Sequence, residues 1–430
     1  MEEPKTISET EFLLAREEIA ALDERLAALF AERMRHSAVI ADYKKERGLP
    51  VRDRERELFL IGKNAAGIAD EKIRAVYPPV AEAVMAASRT LQEERNLPES
   101  FLSAGGRVFF CRDGAKRLSD FFDINRRYLL VTDSGVPEKW VSLVSAQLPR
   151  HVLFRFPAGE GSKSPGTLKN LLSALLENGF TRADAILALG GGVVTDLCAF
   201  AAGIFLRGVS CCSLPTTLLA QADAAVGGKN GIDFGEVKNS VGLFRAPERT
   251  LIDPAFLETL DRRQTANGTA EIVKIAVTLD AGLFERLEKS GTVTDGILLR
   301  AVLLKQKTVA GDEKEESGAR RVLNFGHTLG HGIEIAAGGE LLHGEAVALG
   351  MLPMAEKRTA DRLRALYRRL GLPETYEYDP EAALRAMKHD KKAGEKGVTC
   401  VTVGEPGEYA FRTLDEKGLW RLANGEAIRP

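Results

Sequence analysis

Histidine and cysteine are both scarce in this chain, at six and five residues among 430. The cysteines (Cys111, Cys198, Cys211, Cys212 and Cys400) show neither the paired spacing of a thiolate metal cage nor that of a redox motif. They read as buried thiols of a reducing cytoplasm rather than as a disulfide framework. No apolar run approaches the ~18 residues that a membrane span needs. The opening Met1-Glu2-Glu3-Pro4 is acidic and carries no apolar signal segment, so a cytoplasmic location is expected. Neither sign of charge dominates, with 59 Lys and Arg against 61 Asp and Glu. A dedicated nucleic-acid binder would show a basic stripe. The expected partners are therefore small molecules, with no nucleic acid and no membrane.

Against that scarcity, half of the histidines crowd together. Two stand in Asn324-Phe325-Gly326-His327-Thr328-Leu329-Gly330-His331, and a third opens His343-Gly344-Glu345. Neutral imidazole is the commonest metal ligand and the side chain best poised for proton transfer near pH 7. Upstream, Glu271-Ile272-Val273-Lys274 offers a carboxylate to complete a metal triad. The bland alternative is a structural zinc or a few capping histidines. From spacing alone, the i, i+4 pair His327 and His331 is the natural ligand pair.

The chain is too long for one ordinary core, so two or three domains are expected. Residues 1–97 read as helix almost throughout. Ser8 and Glu11 form a capping-box pattern. Phe12, Ile19, Leu22, Leu26, Leu29 and Phe30 then recur at three- and four-residue spacing, uninterrupted by Gly or Pro as far as Arg47. A second helix starts near Arg52-Asp53 and fades at Gly67. A third runs to about Arg95, with Pro78-Pro79 marking its start or a kink. A helix as long as the first cannot bury its stripe alone, so a homodimer or higher homo-oligomer is expected. Residues 98–102 read as a linker. From 103 to 253, buried strand patterns at 127–133 and 185–189 alternate with helical ones, which implies a parallel, doubly wound sheet. From about Pro254 strand signals largely vanish and helical patterns dominate to about Arg369, so 254–430 is expected to be a mostly α-helical domain.

The helical domain carries Arg16, Arg33 and Lys44 on its first helix and Asp53, Arg56 and Glu57 after the turn. Ser88 and Gln92 share one face of its third helix. A solvated charged face is the plain reading. Their order, with Ala15-Arg16-Glu17-Glu18-Ile19 and Pro50-Val51-Arg52-Asp53, resembles the all-helical chorismate mutases over residues 8–95. That resemblance implies a pericyclic rearrangement of chorismate to prephenate in a three-helix all-α domain. Arg16 of the partner subunit, Arg33 and Arg56 would clamp carboxylates. Lys44 and Gln92 would face the ether oxygen. Glu57 and Asp53 would hold the hydroxyl region, with Ser88 near a carboxylate.

Residues 103–430 resemble 3-dehydroquinate synthase. The segments that carry this are Pro215-Thr216-Thr217-Leu218-Leu219-Ala220-Gln221-Ala222-Asp223, Val226-Gly227-Gly228-Lys229, Lys238-Asn239, Glu271-Ile272-Val273-Lys274 and the histidine segments above. The resemblance implies a Rossmann-like α/β NAD-binding domain followed by a mostly α-helical metal and substrate domain. A glycine turn at a helix N-terminus suits a pyrophosphate. Gly191, Gly192, Val193, Asp196, Glu160, Lys163, Thr216, Thr217, Lys238, Thr259 and Leu260 would contact NAD. Zinc, or cobalt in its place, is expected on Glu271, His327 and His343, with His331 assigned to the phosphate end and proton transfer. Lys229, Asn239, Lys274, Lys305, Arg320, Asn324 and Arg207 would hold the substrate, and Asp223 belongs to the same cleft. Taken singly, any of these lysines reads as a surface charge.

The implied reaction takes 3-deoxy-D-arabino-heptulosonate 7-phosphate to 3-dehydroquinate and phosphate, with NAD regenerated. Departures from the family pattern are Thr195 in place of glycine, Ala224-Ala225 in place of a serine pair, Asn230 after Lys229, and one extra residue before Arg320. The last leaves open whether Glu315 or Glu316 takes an acidic role. The alternatives are another sugar-phosphate cyclase of the inosose synthase type, a polyol dehydrogenase, and a helical domain that serves as a prephenate or chorismate sensor.

Overall fold

The computed structural model describes residues 8–428 apart from 48, 96, 98, 99, 236, 313–317, 390–392, 395 and 396. Glu315 and Glu316 lie outside the described residues. The chain divides into two compact units, residues 1–98 and 99–430.

Unit 1 is three helices: α1 (Glu9–Glu46), α2 (Arg54–Ala66) and α3 (Glu71–Arg95). The expected capping box closes the start of α1. The Ser8 hydroxyl accepts from the Glu11 N–H, and the Glu11 carboxylate accepts from the Ser8 N–H. Asp53 caps α2 and Asp70 caps α3 through their carboxylates. Pro78 and Pro79 do not mark a helix start, because α3 begins seven residues earlier and runs through both. Each proline removes one backbone donor, and the helix holds through its packing on α1 and α2. Along α1 the apolar stripe stays exposed within one chain: Phe12, Leu22, Leu26 and Leu29 are each more than half exposed.

Unit 2 opens with the strand pair β1 (Ser100–Ser103) and β2 (Gly106–Phe110). Residues 100–102, expected in a linker, are thus strand. Their backbone groups pair with 107–109, and a turn with Ala104 and Gly105 at positive φ joins the two. There follow β3 (Tyr128–Asp133), α4 (Glu138–Ser145), β4 (His151–Phe156), α5 (Pro165–Glu177), β5 (Ala185–Gly190), α6 (Gly192–Ile204), β6 (Ser210–Pro215), the hairpin β7 (Lys229–Phe234) and β8 (Val237–Phe244), and β9 (Arg249–Ile252). The sheet order is β1-β2-β9-β6-β5-β3-β4, parallel except for β1 with β2. Strands β3 and β5 are buried along their whole length, which explains their continuous apolar runs. From β3 the chain proceeds outward to β4, and from β5 it proceeds the other way to β6. The carboxyl ends of β3 and β5 therefore flank a topological switch point, where open α/β sheets form a crevice.

The remainder is mainly helical: α7 (Arg262–Leu279), α8 (Ala281–Ser290), α9 (Asp295–Ala310), α10 (His327–Ala336), α11 (His343–Met351), α12 (Lys357–Leu370), α13 (Pro380–His389) and α14 (Glu416–Ala423). A small antiparallel sheet of β10 (Ala393–Gly394), β11 (Gly397–Val403) and β12 (Tyr409–Leu414) joins them. Helix α7 is the axis of this region, buried from Ala266 to Thr278. Close approach around it depends on glycine. A Cβ at Gly344 would lie 2.0 Å from the Asn267 carbonyl oxygen on α7, and one at Gly350 2.1 Å from the Gly326 carbonyl oxygen at the start of α10. Helices α7, α10 and α11 thus pack nearly backbone to backbone. Among the described residues no helix is long and apolar enough to cross a membrane.

Candidate active sites

The three packed helices deliver the metal candidates. Glu271 and Lys274 lie one turn apart on α7 and are ion-paired in the interior. His327 opens α10 and His343 opens α11. Glu271 Oε1 lies 3.6 Å from Nε2 of each of these histidines, too far for a hydrogen bond. That oxygen is buried and has no hydrogen-bond partner. An acceptor so placed is costly unless a cation sits beside it. Burial pushes the Glu271 carboxyl pKa up, but Lys274 and His343 together hold it below its usual range. His331 belongs to the same cluster: ligand atoms of His327, His331 and His343 all lie within 4.8 Å of one another. The donor set thus fits a divalent ion, with an acidic oxygen and two imidazoles in reach and a third imidazole alongside.

A basic group adjoins it. Lys305 Nζ pairs with Asp223 Oδ1 at 2.7 Å, and the Arg320 guanidinium donates to the Gly227 carbonyl at 3.2 Å. Burial lowers the Lys305 pKa first, and the charges of Lys274 and Arg320 lower it further against the pull of Asp223. Buried Lys274, Lys305 and Arg320 thus gather beside Glu271 and Asp223, and buried Asp312 accepts from the Arg320 backbone N–H. Asn324 ends the 3-10 turn that leads into α10. Lys229 is exposed at the start of β7.

The dinucleotide candidates gather at the switch point. Gly190 ends β5, Gly191 precedes α6, and no side chain caps the first turn of α6. Its first-turn N–H groups are thereby available to a pyrophosphate. A Cβ at Gly191 would lie 3.1 Å from the Thr217 side chain, so the turn rests on Thr217, beside Thr216 at the end of β6. Lys163 Nζ bonds both Asp196 Oδ2 and Asn239 Oδ1 at 2.5 Å, which draws the Glu160–Ser162 turn, α6 and β8 together. Burial raises the Asp196 pKa to about 6 even beside Lys163. Asn239 adopts the left-handed conformation at φ 52°. The Thr259 hydroxyl accepts from Trp140 Nε1 at 2.8 Å, and Leu260 follows it. Thr195 satisfies its hydroxyl on the Gly192 carbonyl, and Asn230 donates to the Gly228 carbonyl. Both departures from the family pattern are thereby accommodated locally.

Arg207 is exposed in the turn that follows α6. It follows Leu206 at positive φ and itself has φ 65°. In unit 1, Arg16 lies some 26 Å up α1 from Arg33 and rests over the Phe12 ring. Of the other mutase candidates, Ser88 and Gln92 meet, and the rest make local bonds. Arg33 reaches the Val84 carbonyl, and Ser88 bonds Ser37 and Gln92. Lys44 Nζ reaches the Val51 carbonyl at 2.6 Å. Gln92 Oε1 is buried without a partner. Glu57 is held by Arg89 at 2.6 Å, while Asp53 spends a carboxylate oxygen on capping, and Arg56 is exposed.

Sequence reasoning missed Asp133, Arg89 and Glu334. Asp133 is buried at the carboxyl end of β3 in the switch-point crevice, and an acidic residue closing an apolar strand was its signal. Arg89 has no signal in sequence, because only the packing of α2 on α3 sets it against Glu57. Glu334 lies seven residues after His327, on the helix face that carries the histidines.

A doubly wound sheet with an uncapped glycine turn, followed by a helical layer holding a carboxylate and imidazoles, defines the class of the dehydroquinate-synthase-like fold. Residues 153–267 and 268–393 match the family models for the N-terminal and C-terminal parts of 3-dehydroquinate synthase, and residues 15–93 match chorismate mutase type II. The 3-dehydroquinate synthase of Lactiplantibacillus plantarum is 38% identical over 67% of this chain and 87% of its own length. That of Latilactobacillus sakei is 41% identical over 62% of this chain and 79% of its own length. The structure of the 2-epi-5-epi-valiolone synthase ValA from Streptomyces hygroscopicus, with NAD+ and Zn2+ bound, aligns at TM-score 0.69 and 27% identity, covering 76% of this chain and 97% of that one. A 2-deoxy-scyllo-inosose synthase complexed with carbaglucose-6-phosphate, NAD+ and Co2+ aligns at TM-score 0.70 but 22% identity, over 76% of this chain and 100% of that one, which is a likeness of fold. The chain belongs to the 3-dehydroquinate synthase family and carries a chorismate mutase type II domain ahead of it. It is a bifunctional enzyme of aromatic biosynthesis, a lyase joined to an isomerase. The inosose-type alternative is not favoured, since the sequence relatives at 36–41% identity are dehydroquinate synthases.

Proposed function

We propose that unit 2 converts 3-deoxy-D-arabino-heptulosonate 7-phosphate to 3-dehydroquinate and phosphate, and that unit 1 rearranges chorismate to prephenate, both in the cytoplasm. The observation that carries the first reading is the buried, unpartnered Glu271 Oε1 between two imidazole Nε2 atoms. Glu271, His327 and His343 would hold a divalent ion, zinc by preference and cobalt in its place, which supplies Lewis acidity at the C5 oxygen. NAD, held by the α6 turn with Lys163, Asp196, Thr216, Thr217 and Lys238, supplies a reversible hydride acceptor. Lys274, Lys305 and Arg320, with Lys229, Asn239 and Asn324, bind the phosphate, carboxylate and hydroxyls and exclude water. Oxidation at C5 acidifies the C6–H bond, and its proton passes to a phosphate oxygen as the C7–O bond breaks. His331 moves a proton at the phosphate end. The C5 ketone is then reduced, the ring opens, and an intramolecular aldol step closes the carbocycle.

For unit 1, Arg33 and Arg56 clamp the dicarboxylate while Lys44 and Gln92 stabilise charge on the ether oxygen. Ser88 lies near a carboxylate, and Asp53 and Glu57 hold the hydroxyl. Arg16 reaches this site from a second copy that covers the exposed stripe of α1. The decisive experiment runs phosphate release and chorismate loss on one preparation, with and without chelator. Chelation should stop phosphate release, zinc or cobalt should restore it, and chorismate loss should continue. Phosphate release indifferent to chelation, net accumulation of NADH, or faster turnover of a hexose phosphate would overturn the first reading.

A further inference from the structure

Glu334 has no place in the reaction as described, yet it touches two of its parts. It lies on α10 at the third of three positions, 327, 331 and 334, that share one helix face. Its side chain is only 13% exposed, and its two oxygens have separate partners. Oε2 lies 3.1 Å from Nδ1 of His343 on α11, and Oε1 lies 2.6 Å from Nζ of Lys238 on β8. A carboxylate accepts, so the proton of the imidazole is placed on Nδ1. The lone pair then remains on Nε2, the atom that faces Glu271 Oε1 at 3.6 Å. A histidine that ligates a metal commonly gives its other N–H to a carboxylate, which sets tautomer and ring orientation together. The second oxygen does different work. It holds the ammonium of Lys238, a dinucleotide candidate on the hairpin, which would otherwise carry a long mobile chain.

We infer that Glu334 is a positioning residue that sets the tautomer of His343 for metal and, through its other oxygen, fixes Lys238 for the dinucleotide, so that the two sites share one carboxylate. The inference rests on the metal and NAD reading above. Removing the carboxylate should therefore weaken two unrelated ligands at once, whereas removing Lys238 should weaken only one.

The test uses the full chain and two ligands measured apart from turnover: zinc affinity by competition with a chromogenic chelator, and NAD affinity by titration. Glu334→Ala should lose about 10- to 100-fold in zinc affinity, the usual effect of deleting such a partner, and should bind NAD more weakly as well. The visible spectrum of its cobalt-loaded form should shift, which a purely structural role would not cause while the helical signal is unchanged. Glu334→Gln, which keeps an acceptor for His343 but loses the charge facing Lys238, should retain zinc and the cobalt spectrum and lose NAD affinity. Lys238→Ala should keep zinc. Should Glu334→Ala fail to fold, the Glu334→Gln pattern decides alone. Zinc affinity and cobalt spectrum of Glu334→Ala equal to wild type, or Glu334→Gln that loses neither ligand, would overturn the inference while the metal reading stands. Wild type that binds no zinc, or His343→Ala that binds it equally well, would overturn the metal reading and this inference with it.

Discussion

Glu271 and the three histidines cluster because three helices approach closely enough to touch backbones, and Gly350→Ala tests that cause. Gly350 is the next-to-last residue of α11 and is itself no ligand. A Cβ there would lie 2.1 Å from the Gly326 carbonyl oxygen and 2.7 Å from the Gly330 nitrogen. A carbon meets a carbonyl oxygen comfortably at about 3.3 Å, so α11 must move from α10 by about 1 Å. Neither obstacle is a side chain that can turn aside. Metal–ligand bonds tolerate only about 0.2 Å of error. Restoring the coordination distances against that wedge costs about 1–3 kcal/mol, the usual strain of overpacking, or about 5- to 150-fold in affinity. The assay is chelator competition for zinc on the folded variant, with phosphate release alongside. Gly166→Ala is the control, since the nearest atom to its new Cβ would be 3.8 Å away. A folded Gly350→Ala protein with wild-type zinc affinity would refute the view that glycine-mediated approach of α10 and α11 sets the cluster.

Three further outcomes are expected. Asp196 has its pKa raised to about 6 against an ordinary 3.8, so its ionisation favours the native state less than the unfolded one. That contribution is complete below pH 4 and is lost as pH rises through 6. Measured against Asp196→Asn, wild-type stability should fall by up to about 3 kcal/mol across that window. Urea unfolding followed by tryptophan emission reports it, because Trp140 and Trp420 both lie in unit 2, and a difference flat with pH would contradict the burial argument. Burial pushes the Cys212 thiol up to about 12 and raises Cys198 and Cys211 as well, while Cys400 is also buried. One alkylation per native chain at neutral pH, on half-buried Cys111, is therefore expected by mass spectrometry, against five after denaturation; native labelling at Cys211 or Cys212 would count against this packing. Arg33→Ala should reduce chorismate turnover by about 10- to 150-fold, the worth of a lost charge-assisted hydrogen bond of about 1.5–3 kcal/mol, and leave phosphate release intact. Equal loss of both activities would show that the charge acts on overall folding instead.

Local chemistry alone determined a good deal about this protein. The capping box at Ser8 and Glu11, the unbroken helical run to Arg47 and the buried strands at 128–133 and 185–190 follow from side-chain spacing and burial. The crowding of half the histidines into two short segments announced a site before any fold was known. Spacing could not choose its members: by sequence His327 and His331 form the natural pair, and only the crossing of α7 with α11 brings Glu271 and His343 to them. Packing likewise decided that Ser100–Ser103 is a strand, since an isolated tetrapeptide has no pairing partner until β2 lies beside it. It also carried α3 through two prolines whose lost backbone bonds propensity alone counts as an end. Arg16 was legible as a charge, yet its distance from Arg33 is set by the length of α1. The double engagement of Glu334 was invisible along the chain, because its partners lie 96 residues before it and nine after it. Spacing fixes which side chains share a face; which faces meet depends on how closely backbones can approach, and here that is decided by glycines at helix crossings.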